Sequence, residues 1–170
     1  MYAGHFAVAL ALKTVEPRTP GWALALSVGV LDILFGMFVA LGIEAARPPG
    51  VLVLPWSHTL VTAPLWAALF ALLFRRHGWR VMLVLAVGVW SHWLLDLAVH
   101  GADLPLWPGS KTLLGYRAIF GGNAGWFETS VVVVACAWYV RSARRDVSYG
   151  RSITGSIAVV LVCLALEWTQ

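Results

Sequence analysis

The sequence predicts an all-α integral membrane protein, a polytopic bundle of about six transmembrane helices whose first helix is short. Three observations support this fold class. The 170 residues are 60% hydrophobic and only 12% charged, whereas soluble domains carry about 25% charged residues. The apolar residues form separate runs, several of which approach the ~20 residues that cross a bilayer. The basic residues lie between these runs. We therefore interpret residues 1–170 as a single membrane domain.

The apolar runs are separated by clear breaks and predict the helices in order. The first run, 3–14, permits a helix but is short for a span. The longer runs predict helices over 21–43, 56–74, 79–99, 126–140 and 153–168. A short apolar connector, 51–55, precedes the third helix, which Pro64 is expected to kink. The longest connection, 100–125, is rich in glycine, proline and aromatic residues, and we predict an outer loop or a re-entrant segment there.

The basic residues predict how the bundle is oriented. If segment 3–14 spans, the connections after the first, third and fifth helices share one side, and the other side holds only Arg47, Lys111 and Arg117. The positive-inside rule then places both termini outside, in a multi-pass protein of the bacterial inner (cytoplasmic) membrane. If segment 3–14 lies at the interface, five spans remain and the N-terminal region stays on the inner face. The net charge of +4 predicts contact with membrane lipids and not with nucleic acid, because the basic residues form no aromatic-interleaved patch.

Ionisable residues inside or beside the apolar runs mark the candidate site. The stretch 91–108, SHWLLDLAVHGADLPLWP, holds His92, Asp96, His100 and Asp103 at spacings that stack side chains on one helix face. Such groups are costly to bury in a bilayer without a metal, a counter-charge or water. In the six-span topology, further ionisable residues fall at a similar depth. These are His5, Asp32, His58 and Glu128. The sequence therefore predicts that these side chains meet in the outer half of the membrane.

Imidazole and carboxylate ligands together suit zinc, and less closely manganese or iron. The four-residue offset from His92 to Asp96 lets both side chains reach one ion, or lets the carboxylate bridge two ions. Two ions about 3.5–4 Å apart polarise a phosphoryl oxygen and lower the pKa of a bound water. This chemistry indicates a hydrolase that acts on a phosphoester.

Several of these residues also have a purely structural interpretation. His5 fits a hydrogen-bonded packing residue near the interface. His100 and Asp103 fit a helix cap or a loop, and Glu128 fits a charge favoured by the dipole of its own helix. Asp32 and the His92–Asp96 pair are harder to explain in this way, because a carboxylate within a span is expensive. His77 lies in a basic turn and is interpreted as a solvated loop residue.

Four motifs resemble a known family. They are GHFAVALALK near the start, Asp32 in the second apolar run, PWSHTL before the third helix and SHWLLDLAVHGADLPLWP. Together they resemble the YdjM-type (LexA-binding) inner-membrane metal-dependent hydrolases over roughly residues 3–116. Two motifs differ from that pattern. The family's Pro-Asp-x-Asp reads Leu31-Asp32-Ile33-Leu34 here, and its Thr-His-Ser reads Ser57-His58-Thr59.

The resemblance implies a helix bundle that binds one or two divalent metal ions, with zinc favoured. Carried over by position, it implies metal ligands at His5, Asp32, His58, His92 and Asp96. On that basis Asp32, His58 and His92 hold one ion, Asp96 bridges, and His5 helps to hold a second. Asp32 and Asp96 are the expected catalytic carboxylates, and His100, Asp103 and Glu128 are expected to support the ligands. The ligand order is also distantly similar to zinc-dependent phospholipase C and to single-strand nucleases of the P1 type.

The sequence thus favours a membrane-embedded metal-dependent hydrolase that acts on a phosphoester at the outer leaflet, with a lipid as one candidate substrate. Two hypotheses from other classes stay open. A transporter of protons or metal ions would also use intramembrane His and Asp, but it needs a polar path to the cytoplasmic side. A membrane scaffold with a structural metal would have a closed site with no open coordination position.

Overall fold

The computed structural model describes residues 2–47, 51–117 and 124–143, which contain five α-helices. Their bounds are Tyr2–Val15 (α1), Gly21–Ala40 (α2), Thr62–Leu72 (α3), Trp79–Val99 (α4) and Ala124–Ala143 (α5). A single 3₁₀ turn, Arg75–His77, connects α3 to α4. The prediction of an all-α protein is confirmed. The predicted sixth helix, 153–168, lies outside the described residues, and the six-helix count and the outer N-terminus stay predictions.

Two short hairpins occupy the segments predicted as breaks between helices. Strand β1, Ala45–Arg47, pairs antiparallel with β2, Val51–Val53. Strand β3, Leu104–Pro105, pairs in the same way with β4, Leu113–Leu114. The second hairpin belongs to the long connection predicted over 100–125. Its backbone carbonyls at 105 and 106 accept N–H groups from residues 60 and 61, both at 3.2 Å. This connection is therefore bound to the chain that leads into α3.

Helix α4 lies at the centre of the described bundle. It packs against α1, α2 and α3, while α1 also packs along α5. The main core consists of apolar side chains from α2, α3 and α4 around the buried residues Leu85, Val89 and Trp93. A smaller cluster joins Ala3 and Ala7 of α1 to α5. Because three helices surround α4, polar side chains on its inner face are forced to find partners on those helices.

Helices α2 and α4 approach each other closely where Gly88 faces Ser27. A Cβ atom at Gly88 would lie 2.3 Å from Ser27 Oγ and 3.1 Å from Ser27 Cβ, far inside ordinary contact distance. Ser27 is fully buried, and its hydroxyl donates to the Leu24 carbonyl at 2.7 Å. Small residues at such crossings let membrane helices pack backbone to backbone. On α4, Gly88 lies one helical turn before His92. On α2, Ser27 lies one residue before Val28.

Two of the described helices are long and apolar enough to cross a membrane, namely α2 with a mean hydropathy of 2.2 and α4 with 1.8. Only 28% of the apolar window of α2 is buried, so this helix presents most of its apolar surface outward. Large side chains such as Ile33 and Met37 are exposed there. An outward apolar face is what a lipid-facing helix requires, and these features support a membrane protein.

The third helix is shorter than the predicted span 56–74, because it begins only at Thr62. Reciprocal hydrogen bonds start it: the Thr62 N–H donates to Thr59 Oγ1 at 2.9 Å, and the Thr59 N–H donates to Thr62 Oγ1 at 3.3 Å. Pro64 then falls in the first turn, where its missing N–H interrupts no intrahelical hydrogen bond. At this position Pro64 gives no reason for α3 to kink, although the sequence predicted a kink there.

Candidate metal centre

The predicted ligands come from four separate parts of the chain and meet beside α4. His5 lies on α1, Asp32 on α2, and His58 in the segment before α3, while His92 and Asp96 lie one turn apart on α4. His5, His58, His92 and Asp96 are all buried. The side chain of Asp32 is 42% exposed. The structure thus brings together all five side chains, and Asp32 forms the open side of the cluster.

Two triangles of ligand atoms share one edge, the 3.3 Å between His58 Nε2 and His92 Nε2. Asp32 Oδ1 completes the first triangle at 3.6 Å and 3.5 Å from these nitrogens. Asp96 Oδ2 completes the second at 3.6 Å and 3.0 Å. Tetrahedral zinc with bonds of about 2.0–2.1 Å separates its ligand atoms by about 3.3–3.4 Å. The Nε2 atoms of His58 and His92, together with an oxygen of Asp32 or of Asp96, are therefore spaced like three of the four ligand atoms of a tetrahedral zinc site.

Hydrogen bonds to the other ring nitrogens turn both Nε2 lone pairs toward this cluster. His92 Nδ1 lies 2.6 Å from the Val28 carbonyl oxygen, which only accepts, so Nδ1 carries the proton. His58 Nδ1 lies 2.7 Å from Ser57 Oγ, whose hydroxyl donates to Glu44 Oε2 at 2.7 Å. The Ser57 oxygen then accepts from His58 Nδ1–H. Fixing a ligand's tautomer through its outer nitrogen is how proteins orient metal-binding histidines.

Glu44 is a site residue that the sequence analysis missed. It is buried, and its Oε1 accepts the N–H groups of Trp56 at 2.7 Å and Ser57 at 2.8 Å. These bonds hold residues 56 and 57 in a non-helical path and aim His58 at α4. The sequence did offer a signal for it: Glu44 is an acidic residue within the mostly apolar stretch 37–46, and no partner had been predicted for it.

The two oxygens of Asp96 face different partners. Oδ2 faces His58 and His92, as described above, while Oδ1 lies 3.5 Å from His5 Nε2 and 3.8 Å from His100 Nε2. The ring of His5 packs on that of His92 with centroids 3.9 Å apart, and its Nε2 is 3.2 Å from the His92 carbonyl oxygen. The carboxylate predicted to bridge is therefore placed between two sets of imidazoles.

His100 and Asp103 form an ion pair at the end of α4, where the sequence left a cap or loop role open. His100 Nδ1 lies 3.1 Å and 3.3 Å from the two oxygens of Asp103. Burial disfavours the charged ring, but the Asp103 hydrogen bond and the charges of Asp96 and Asp103 outweigh it and raise the pKa of His100. The two carboxylates therefore stabilise the protonated form of His100.

Glu128 supports the start of α1 and does not serve the dipole of its own helix. It lies beyond the first turn of α5, and its Oε1 accepts the Gly4 N–H at 2.9 Å. The first N–H groups of a helix have no intrahelical acceptor, and a buried carboxylate there is favoured by the helix dipole. Glu128 thus fixes the backbone residue next to His5.

Helices of membrane-crossing length around a buried group of histidines and aspartates define a helical membrane protein with a candidate metal centre. The sequence model of the YdjM inner membrane protein family matches residues 55–169. Because this match covers more than half of the chain, the protein belongs to that family, and the predicted resemblance is confirmed. The match includes His58, His92 and Asp96 and begins after His5 and Asp32. No curated protein and no solved structure gives a significant match to the chain.

Proposed function

We propose that the protein is a membrane-embedded, metal-dependent hydrolase that acts on a phosphoester. One divalent ion, with zinc favoured, is held by His58 and His92 together with Asp96 and Asp32. The observation that supports this most is the pair of ligand triangles, whose sides of 3.0–3.6 Å match the spacing of zinc ligands. The fixed tautomers of both histidines add to it, because each presents an unprotonated Nε2 to the cluster.

In this proposal some of the residues hold the ion, and one of them accepts a proton. A divalent ion held by these residues would polarise a phosphoryl oxygen and lower the pKa of a water molecule. Asp96 is buried among four imidazoles and serves to hold and position them. Asp32 is the exposed member, so it is the carboxylate that substrate and water can reach. We assign to Asp32 the acceptance of a proton from the attacking water.

The surroundings of Asp32 favour a lipid phosphoester. Asp32 opens onto a face of α2 where Gly29 and Gly36 flank it at spacings of three and four residues. A Cβ atom at either glycine would meet nothing within 4 Å, so the face has room beside the carboxylate. Apolar side chains such as Ile33 are exposed next to it. An acyl chain can lie along such a face while its phosphate reaches Asp32.

The two other hypotheses are less well supported. A transporter needs a polar path through the bundle, but Gly88 and Ser27 pack tightly one turn from His92. A scaffold with a structural metal needs a closed site, but the Asp32 side chain is 42% exposed. The exposed Asp32 carboxylate and the tight contact between Gly88 and Ser27 together fit an enzyme site that substrate reaches from one side only.

Metal content and hydrolysis measured on the same preparations test the proposal. We expect the purified protein to contain zinc and to hydrolyse bis-p-nitrophenyl phosphate or a phospholipid in mixed micelles. His92→Ala and Asp96→Ala should each lose the metal and the activity together. His77→Ala, which changes an exposed histidine of the basic turn, is the matched control and should keep both. Unchanged metal content in both site variants would refute the metal centre, and native metal content without any hydrolysis would refute the enzyme.

A further inference from the structure

We propose that the end of the bundle opposite the metal centre binds one anionic phospholipid, with its headgroup on Arg75, Arg76 and Arg80 and an acyl chain along α3. This site is separate from the candidate metal centre. Helix α4 begins at Trp79, and a rise of about 1.5 Å per residue places His92 about 20 Å further along it. The proposal therefore depends neither on a metal ion nor on hydrolysis.

The turn between α3 and α4 concentrates positive charge that has no acidic partner. Arg75 and Arg76 lie in the 3₁₀ turn and Arg80 lies in the first turn of α4, and all three are exposed. In the part of the chain that the structure describes, no carboxylate forms an ion pair with them. Guanidinium groups bind phosphate oxygens through paired N–H groups. This turn is therefore complementary in charge and in hydrogen bonding to a phosphate.

Exposed indole rings on both sides of the turn indicate its depth in the membrane. The start of α2 borders the turn, since the rings of Trp22 and Phe74 lie 5.7 Å apart and those of Phe74 and His77 lie 5.8 Å apart. Trp22 and Trp79 are 65% and 68% exposed. Tryptophan side chains are enriched at the boundary between membrane and water, at the level of the lipid headgroups. A lipid phosphate at that level lies within reach of the arginines.

An apolar strip on α3 leads to the turn and favours a lipid over a free phosphate. Leu65, Leu69 and Leu72 recur at the spacing of one helix face, and each is about half exposed. Leu73, the residue that follows α3, is 76% exposed. The strip ends three residues before Arg75, so one molecule can contact both surfaces. An acyl chain on the strip and a phosphate on the arginines together match a phospholipid.

The charge of the turn also selects among phospholipids. A zwitterionic headgroup carries the same phosphate but brings its own cation close to three guanidinium groups, and like charges repel. A headgroup with a net negative charge has no such cost. The orientation that the positive-inside rule predicts places this lipid in the cytoplasmic leaflet.

Lipid binding to the full-length protein measures this site without an assay of hydrolysis. The protein in nonionic detergent, with a chelator present, is titrated with dioleoyl-phosphatidylglycerol or dioleoyl-phosphatidylcholine, and bound lipids are counted by native mass spectrometry. We expect one phosphatidylglycerol to bind at least about 10-fold more tightly than phosphatidylcholine. Each arginine should contribute about 5-fold, so Arg75→Gln, Arg76→Gln and Arg80→Gln combined should weaken the anionic lipid about 100-fold. Lysine at the same three positions keeps the charge and should keep the preference.

The matched control is Arg117→Gln, which removes one exposed arginine beyond the other end of α4 and should bind both lipids as the native protein does. Equal binding of the two lipids by the native protein would overturn the proposal, and this comparison does not depend on the folding of any variant. A preference that survives the three glutamines would overturn the role of the arginines, and one lost with three lysines would overturn the role of charge. Soluble glycerophosphoglycerol, which has the headgroup without acyl chains, should not displace the lipid at equal concentration, and displacement would overturn the role of the α3 strip. Thermal unfolding in detergent shows that each variant compared is folded.

Discussion

Replacing Gly88 with alanine tests how the contact between α2 and α4 holds His92. The new Cβ atom would lie 2.3 Å from Ser27 Oγ and 3.1 Å from Ser27 Cβ. The Ser27 hydroxyl is held by its hydrogen bond to the Leu24 carbonyl, and with that rotamer kept the helices themselves must separate. Ordinary contact begins at 3.4 Å, which requires a displacement of about 1 Å. Val28 follows Ser27 on α2, and its carbonyl oxygen accepts the hydrogen bond that fixes His92.

The magnitude follows from that bond. His92 Nδ1 is 2.6 Å from the Val28 carbonyl oxygen, and a 1 Å separation lengthens this to about 3.6 Å, beyond hydrogen-bonding range. Overpacking a core typically costs about 1–3 kcal/mol, and an unpaired buried donor costs about 1–3 kcal/mol more. We therefore expect Gly88→Ala to destabilise the protein by about 2–6 kcal/mol. We also expect it to weaken zinc binding about 10–100-fold, because His92 loses its orientation.

Thermal unfolding and zinc competition in detergent measure the two effects. Gly29→Ala is the matched control, since it makes the same chemical change on α2, where a Cβ atom meets nothing within 4 Å. Adding Ser27→Gly to Gly88→Ala removes both atoms that the new methyl group would meet, and zinc affinity should recover. If Gly88→Ala binds zinc and melts as the native protein does, the helices are not held at the distance described and the reasoning fails.

Three further predictions concern residues around the site. Glu44→Gln disturbs the carboxylate that orients Ser57 and through it His58, so zinc affinity measured by competition should fall about 10–100-fold; unchanged affinity would contradict this role. Glu128→Ala leaves the buried Gly4 N–H without its acceptor and should lower stability by about 1–3 kcal/mol in thermal unfolding, whereas Glu128→Gln, which keeps an acceptor, should cost less. Gly36→Leu narrows the open face beside Asp32, so hydrolysis of a micellar phospholipid should fall more than that of bis-p-nitrophenyl phosphate, and an equal loss on both substrates would count against a lipid path.

The sequence could predict that the ionisable side chains lie close together, because a buried ionisable group needs a partner and these residues are the available ones. His5, His58, His92 and Asp96 lie in or beside apolar runs, where each lone polar group would carry a large desolvation cost. The non-helical path of residues 56 and 57 before α3 could not be predicted in the same way. It depends on Glu44, which lies 12 and 13 residues before the N–H groups that it accepts, and no local periodicity encodes that contact.

Short elements and loop contacts also escaped prediction. The strands of the two hairpins contain only two or three residues each, too few for an alternating pattern to be recognised. Glu128 was expected to support the ligands, but its contact with Gly4 was missed for a different reason. Its acceptor bond joins α5 to the first turn of α1 at the far end of the sequence, and the order of residues along α5 says nothing about that partner.

The separation along the chain between the site's contacts sets the order in which it can form during synthesis. His5 meets His92 across 87 residues, and Gly4 meets Glu128 across 124. Helix α1 is synthesised before α4 and α5, so it waits for α4 before the imidazole of His5 meets His92, and for α5 before its first turn is secured. For a centre that binds a metal as proposed, loading is consequently a late event in biogenesis, and a nascent chain that stops short of α4 lacks His92 and Asp96.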